Sequence, residues 1–122
     1  MTEPNRPQPQ HVFEIVDTMD LDKLASLFAE DARVTFGNEP TYVGVRAIRD
    51  GVKGFFDTIA GIQHTLVRVW RVGDDTIAHV DAKYQRKDGT HITLPAATVY
   101  HADGDGKIDD YRVFLDVTPI YV

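Results

Sequence analysis

Between Gln63 and Val117 the chain reads as four strand-length runs separated by three short clusters of turn-forming residues. The runs are Gln63–Val72, Thr76–Arg86, His91–His101 and Lys107–Val117. The breaks are Gly73-Asp74-Asp75, Lys87-Asp88-Gly89 and Asp103-Gly104-Asp105-Gly106. Connections this short leave each strand no choice but to pair antiparallel with the next, so a four-strand meander is expected. The first half has the other periodicity. Val12, Phe13, Ile15, Val16 and Met19 recur at helical spacing from His11 onward. Asp20 is placed to cap a second helix with Leu21, Leu24, Leu27 and Phe28 on its apolar face, closed by Glu30-Asp31. A short strand, Arg33–Phe36, runs into the Gly37-Asn38-Glu39-Pro40 turn, and a third helix follows over Val45–Ile62. Helices gathered before the sheet predict an α+β fold, with three helices on one face of a curved, mainly antiparallel sheet.

At 122 residues the chain has the size of one domain. Residues 1–10 hold three prolines and no large apolar residue after Met1, so they read as a flexible tail, and 11–122 as the domain. There is no cysteine, which excludes a disulfide framework, a thiol nucleophile and thiolate metal ligation. A net charge of −6 argues against a nucleic-acid or anionic-membrane surface. No apolar run reaches the roughly 18–20 residues of a spanning helix, and the N-terminus lacks a signal-peptide pattern, so a cytoplasmic location is expected. His11, His64, His91 and His101 are scattered, without metal-ligand spacing, and Asp103–Asp109 reads as a hairpin turn and not a calcium loop, having His101 and Arg112 where ligands belong. No metal and no cofactor is expected.

Counting outward from two-residue turns at Asp74-Asp75, Asp88-Gly89 and Gly104-Asp105 gives a register. It places Arg68, Trp70, His79, Asp81, Ala96, Thr98, Tyr111 and Val113 on one face of the sheet. Val67, Val69, Val80, Ala82, Ala97, Val99 and Phe114 fall on the other. On the first face, small Ala96 and Thr98 leave volume beside Asp81 and His79, the makings of a small-molecule pocket. There Asp81 is the candidate general base and His79 its proton-transfer partner. Arg68 is placed to tune the carboxylate, and Tyr111 to donate to an oxyanion. Phe36, Phe56, Trp70, Ala96, Thr98, Val113 and Leu115 are the expected pocket walls. The bland reading is an Arg68–Asp81 cross-strand pair beside a satisfied histidine. The apolar second face predicts a homodimer.

The stretches Met19–Ala32, Gly44–Ile48, Asp105–Ile108 and Tyr111–Asp116 together resemble the nuclear transport factor 2-like superfamily, in particular its SnoaL-like and ketosteroid isomerase-like members. That resemblance spans nearly all of the chain after the tail. It implies a cone-like α+β barrel with a pocket between sheet and helices, dimerising through the outer face. It carries over few functional residues. Ketosteroid isomerases have their catalytic carboxylate where this chain has Phe36, and their oxyanion tyrosine and carboxylic acid at Val12 and Thr98. Polyketide cyclases of the SnoaL type have an Asp at the Val113 position and a pocket histidine near Val99. The Arg-x-Asp of limonene epoxide hydrolases falls on His79-Val80-Asp81.

Two functions follow as expectations. One is a cofactor-independent enzyme performing proton transfer on a small apolar metabolite by cyclisation, isomerisation, dehydration or epoxide opening. The other is a ligand-binding or dimerisation module that has lost the family's carboxylates.

Overall fold

A computed structural model describes residues 7–121. Helix α1 spans Pro9–Asp17, with the proline at its first turn where a missing N–H costs nothing. It ends as Met19 turns into the left-handed region at φ 56°. Asp20 then caps α2, its carboxylate accepting from the N–H groups of Asp22 and Lys23. That helix is only Leu21–Ala25. Leu27 and Phe28, expected on its apolar face, have already left it, and β1 runs Phe28–Phe36 in place of the short strand at 33–36. The reason is a partner: the Ile108 N–H donates to the Leu27 carbonyl at 2.9 Å, and Phe28 pairs with Ile108. A two-residue strand β2, Tyr42–Val43, precedes α3, Val45–Phe56. Helix α3 ends six residues before the expected Ile62. The remaining strands are β3 (Gly61–Val72), β4 (Asp75–Gln85), β5 (His91–Ala102) and β6 (Ile108–Phe114), followed by a 3-10 turn at Thr118–Tyr121.

The sheet order is β2-β1-β6-β5-β4-β3. The expected meander is its larger part, and β1 joins it by pairing parallel with β6. The three helices lie against one face of this open sheet, and the core fills the space between. Val12, Ile48 and Ile108 are essentially inaccessible, as are Val80, Ala82 and Tyr84 of β4. Of the expected tail, residues 1–6 lie outside the described residues. Residues 7–10 are tied in, since the Pro7 carbonyl accepts from the Tyr100 hydroxyl at 2.7 Å and Pro9 already belongs to α1.

The register corrects the face assignment at one place. Around Gly73-Asp74 the pairs are Val72↔Asp75, Trp70↔Ile77 and Arg68↔His79, so Arg68, Trp70, His79 and Asp81 do share a face. In the last hairpin Thr98 opposes Val113 and Tyr100 opposes Tyr111, so Ala96, Thr98, Tyr111 and Val113 share one as well. The two groups are on opposite faces. The middle hairpin has a three-residue loop, Lys87-Asp88-Gly89, with Gly89 at φ 90° and the Arg86 N–H donating to the Thr90 carbonyl at 2.7 Å. One extra residue in the loop flips every side chain across that boundary. His79 therefore opposes Ala97, not Thr98, and Asp81 opposes Pro95.

Candidate active site

The concave face of the sheet and the three helices enclose a cavity of about 400 Å³. Small side chains make the room: Ala96 lies on its floor beside Thr98, and α3 presents Gly51 and Gly54 where it forms the wall. Gly51 is fixed by packing, because a Cβ there would come within 2.4 Å of the Tyr42 ring. Around a Cβ at Gly54, by contrast, there is nothing within 4 Å. Aromatic rings supply much of the wall. Phe55 sits 5.0 Å from Phe36 and 6.0 Å from Tyr84, the latter edge-on.

The polar centre of this cavity is His64. On β3, Ile62, His64 and Leu66 alternate inward, while Gln63 and Thr65 point out. The last residue of α1, Asp17, meets the histidine from behind. Its Oδ1 lies 2.6 Å from His64 Nδ1, and its Oδ2 accepts the His64 backbone N–H at 2.9 Å. Both side chains are largely covered, at 10% exposed for His64 and 22% for Asp17. Phe13 packs against the imidazole at 4.8 Å between centroids. His64 lines the cavity and Asp17 does not, so the carboxylate backs the ring. An ionised Asp17 accepting from Nδ1–H leaves Nε2 as the basic nitrogen. That atom makes no hydrogen bond to any described residue.

Two tyrosines share the wall. Tyr84 is one pair along from the residue opposite His64 (His64↔Ala82, Ile62↔Tyr84), on the same face and within reach of it. Only 2% of Tyr84 is exposed, and its hydroxyl has no hydrogen-bond partner among the described residues. Burial, with the nearby Tyr121 and Asp17 adding to it, pushes its ionisation well above the ordinary tyrosine range, so it stays an O–H donor. Tyr111 is held protonated by burial in the same way, with Tyr100 adding to the rise.

Of the residues singled out in the sequence, Phe36, Phe56, Ala96, Thr98, Tyr111 and Val113 line the cavity. Leu115 packs against the core outside the lining. Arg68, Trp70, His79 and Asp81 lie on the outer face, where the three-residue loop puts them. Arg68 stacks over the Trp70 ring at 4.7 Å and does not face Asp81, which stands between Thr65 and Pro95. The expected outer apolar face divides by the same rule. Val80 and Ala82 are interior, at 0% exposure, while Val99 and Phe114 are outside, Phe114 at 57%. His64 and Asp17 escaped the sequence reading, although each occupies an apolar-face position: Asp17 one helical turn after buried Phe13, and His64 between Ile62 and Leu66. Among the described residues no three His, Cys, Asp or Glu side chains come together as a metal site.

Residues 10–111 match the SnoaL-like domain family. Solved structures with the same fold include a nuclear transport factor 2-like protein from Burkholderia pseudomallei (15% identity, TM-score 0.81, 91% of this chain and 89% of that one). A protein with a ketosteroid isomerase-like fold from Catenulispora acidiphila, in complex with trimethylamine, superposes at TM-score 0.78 (18% identity, 93% and 91% covered). The epoxide hydrolase/cyclase-like enzyme SalBIII, described in pyran ring formation in the polyether salinomycin, does so at 0.77 (20% identity, 89% and 88% covered). No curated protein sequence matches the chain.

Proposed function

We propose, on the premise that the chain belongs to the SnoaL-like domain family, that it is an enzyme moving a proton on a small, largely apolar molecule held in the enclosed cavity. The observation that carries this reading is the Asp17–His64 pair: a carboxylate fixes one imidazole nitrogen at 2.6 Å, and the other is left without a protein partner in a cavity. An orienting carboxylate selects the tautomer and stabilises the imidazolium once the proton arrives, so His64 Nε2 serves as the general base and then returns the proton as the acid. The chemistry suited to such a group is isomerisation, ring closure, dehydration or epoxide opening. SalBIII, a cyclase-like relative of the same fold, makes ring chemistry a natural class to screen.

The decisive experiment is turnover of a candidate panel by wild type, His64→Gln and Asp17→Asn. His64→Gln is expected to lose at least about 100-fold in kcat with the fold retained. Full activity in that variant would remove His64 from the mechanism. Binding without consumption of any compound would favour the alternative, a ligand-binding module of the same fold.

We also propose that the outer sheet face pairs with a second copy of the chain. Trp70 and Phe114 are 39% and 57% exposed there, next to Val99 and Ala97. Phe114→Glu is expected to convert the dimer to monomer in light scattering, and an unchanged mass would exclude this face as the interface.

A further inference from the structure

Two features of the cavity bear on what enters it. The first is an unmatched donor. Tyr84 is 98% buried, with its hydroxyl in the cavity wall and no acceptor for it among the described residues. That hydroxyl is not sealed off, and a ligand oxygen in the cavity gives it the acceptor that the protein does not supply. The second is charge. The described residues lining the cavity include no lysine or arginine, so nothing there neutralises an anion. The exposed members of the lining mark the mouth, and they are Glu39, Asp50, Gly54 and Tyr121. Asp50 and Gly54 are one turn apart on α3, and the Tyr121 hydroxyl is 2.9 Å from Thr58 just beyond that helix, so the mouth runs along one edge. Two carboxylates at an entrance repel anions. Deeper than that mouth the lining holds no acid, and half-buried Asp17, behind His64, already spends both oxygens on it, leaving no counter-charge for a cation.

From this we infer that the ligand is an uncharged, largely apolar molecule carrying an acceptor oxygen that takes the Tyr84 hydroxyl, with carboxylates, phosphates and ammonium compounds of the same shape rejected. The inference deepens the reading of the cavity as a substrate site and rests on it. It names Tyr84 as the group that sets the orientation: an oxygen bound there places the neighbouring atoms of the ligand toward His64 on the adjoining strand.

The test is a binding series that needs no turnover, with calorimetry on four naphthalene probes: 2-acetylnaphthalene, 2-ethylnaphthalene, 2-naphthoate and 2-naphthylmethylammonium. The ketone is expected to bind tightest, with each ion weaker by at least about tenfold. Tyr84→Phe is expected to weaken the ketone by about five- to tenfold and leave 2-ethylnaphthalene unchanged, which also reports that the cavity is intact. Glu39→Gln/Asp50→Asn is expected to narrow the gap between ketone and naphthoate. Either ion binding as tightly as the ketone overturns the inference. So does indifference of the ketone to Tyr84→Phe, or no binding of any probe at millimolar concentration. The same series in His64→Gln separates the two readings: selectivity retained there while turnover is unaffected by the substitution would sink the base and keep the ligand class.

Discussion

The molecule contains two carboxylate–imidazole pairs with the same 2.6 Å separation and opposite surroundings. Asp17–His64 is on the concave side, with side chains 22% and 10% exposed, backed by Phe13 and opening onto a cavity. His101–Asp109 is on the outer side, 41% and 33% exposed, in a shallow groove with Asp75, Asp103 and Asp110 nearby. Contact distance alone does not make a proton-transfer site. The inner pair has a second anchor on the backbone N–H of His64 and opens onto a cavity. The outer one is a solvated ion pair whose histidine is drawn upward in pKa by Asp109, against a smaller opposing effect of burial, with Asp75 and Asp74 adding to the rise.

The largest test of this contrast is kinetic. Against the loss of at least about 100-fold expected for His64→Gln, His101→Gln should leave kcat within about twofold. A comparable loss in both would mean that the outer pair also reports on catalysis. Next is stability. Asp17→Ala strands the His64 backbone N–H and imidazole together and is expected to cost about 1–3 kcal/mol in urea unfolding, whereas Asp109→Ala should cost under about 1 kcal/mol. Equal costs would show that burial does not separate the pairs.

A smaller effect distinguishes a sealed hydroxyl on the concave side, that of Thr76, from the cavity-facing one of Tyr84. Thr76 Oγ1 is fully buried without a partner and lies outside the cavity lining. Thr76→Val should therefore stabilise by up to about 1 kcal/mol with ligand binding untouched, while Tyr84→Phe should change binding. If Thr76→Val destabilises the fold, the hydroxyl has a role that its surroundings do not reveal.

The smallest effect is in pH. The folded pKa of His101 is raised above its ordinary 6.5, so protonation favours the folded state. The stability gap between wild type and His101→Gln should be fully open below about pH 6.5 and close as pH rises through the folded pKa. A gap that widens toward alkaline pH would reverse the sign assigned to the pair.

How much of this was legible depends on a single turn. Hydrophobic periodicity and turn residues were enough for the α+β class and the meander, because strand period and hairpin chemistry are local properties. Arg68, Trp70, His79 and Asp81 were correctly grouped, as were Ala96, Thr98, Tyr111 and Val113. What failed was the relation between the groups, since Lys87-Asp88-Gly89 reads equally well as a two- or three-residue loop and the difference inverts a face. Helix α2 was read too long because Leu27 and Phe28 continue its apolar spacing, and only the distant Ile108 assigns them to the sheet. Asp17 and His64 were each visible as polar residues at inward positions. Their partnership was not, because 47 residues separate them and only the packing of α1 on β3 brings them together.

The irregularity in β3 has a consequence of its own. Pairing passes from Leu66↔Val80 to Arg68↔His79, so one residue, Val67, is absorbed without a partner. It acts as a change of phase along a single strand. Up to Leu66 the even-numbered residues build the cavity, and beyond it Val69 and Arg71 take the inward positions while Arg68 and Trp70 turn out. The bulge thereby keeps one inner face running the length of the strand, through Ile62, His64, Leu66, Val69 and Arg71, each opposite an inward residue of β4. Deleting that one valine would leave Leu66 opposite Val80 and Arg68 opposite His79, restoring strict alternation along β3 with Arg68 and Trp70 still outward.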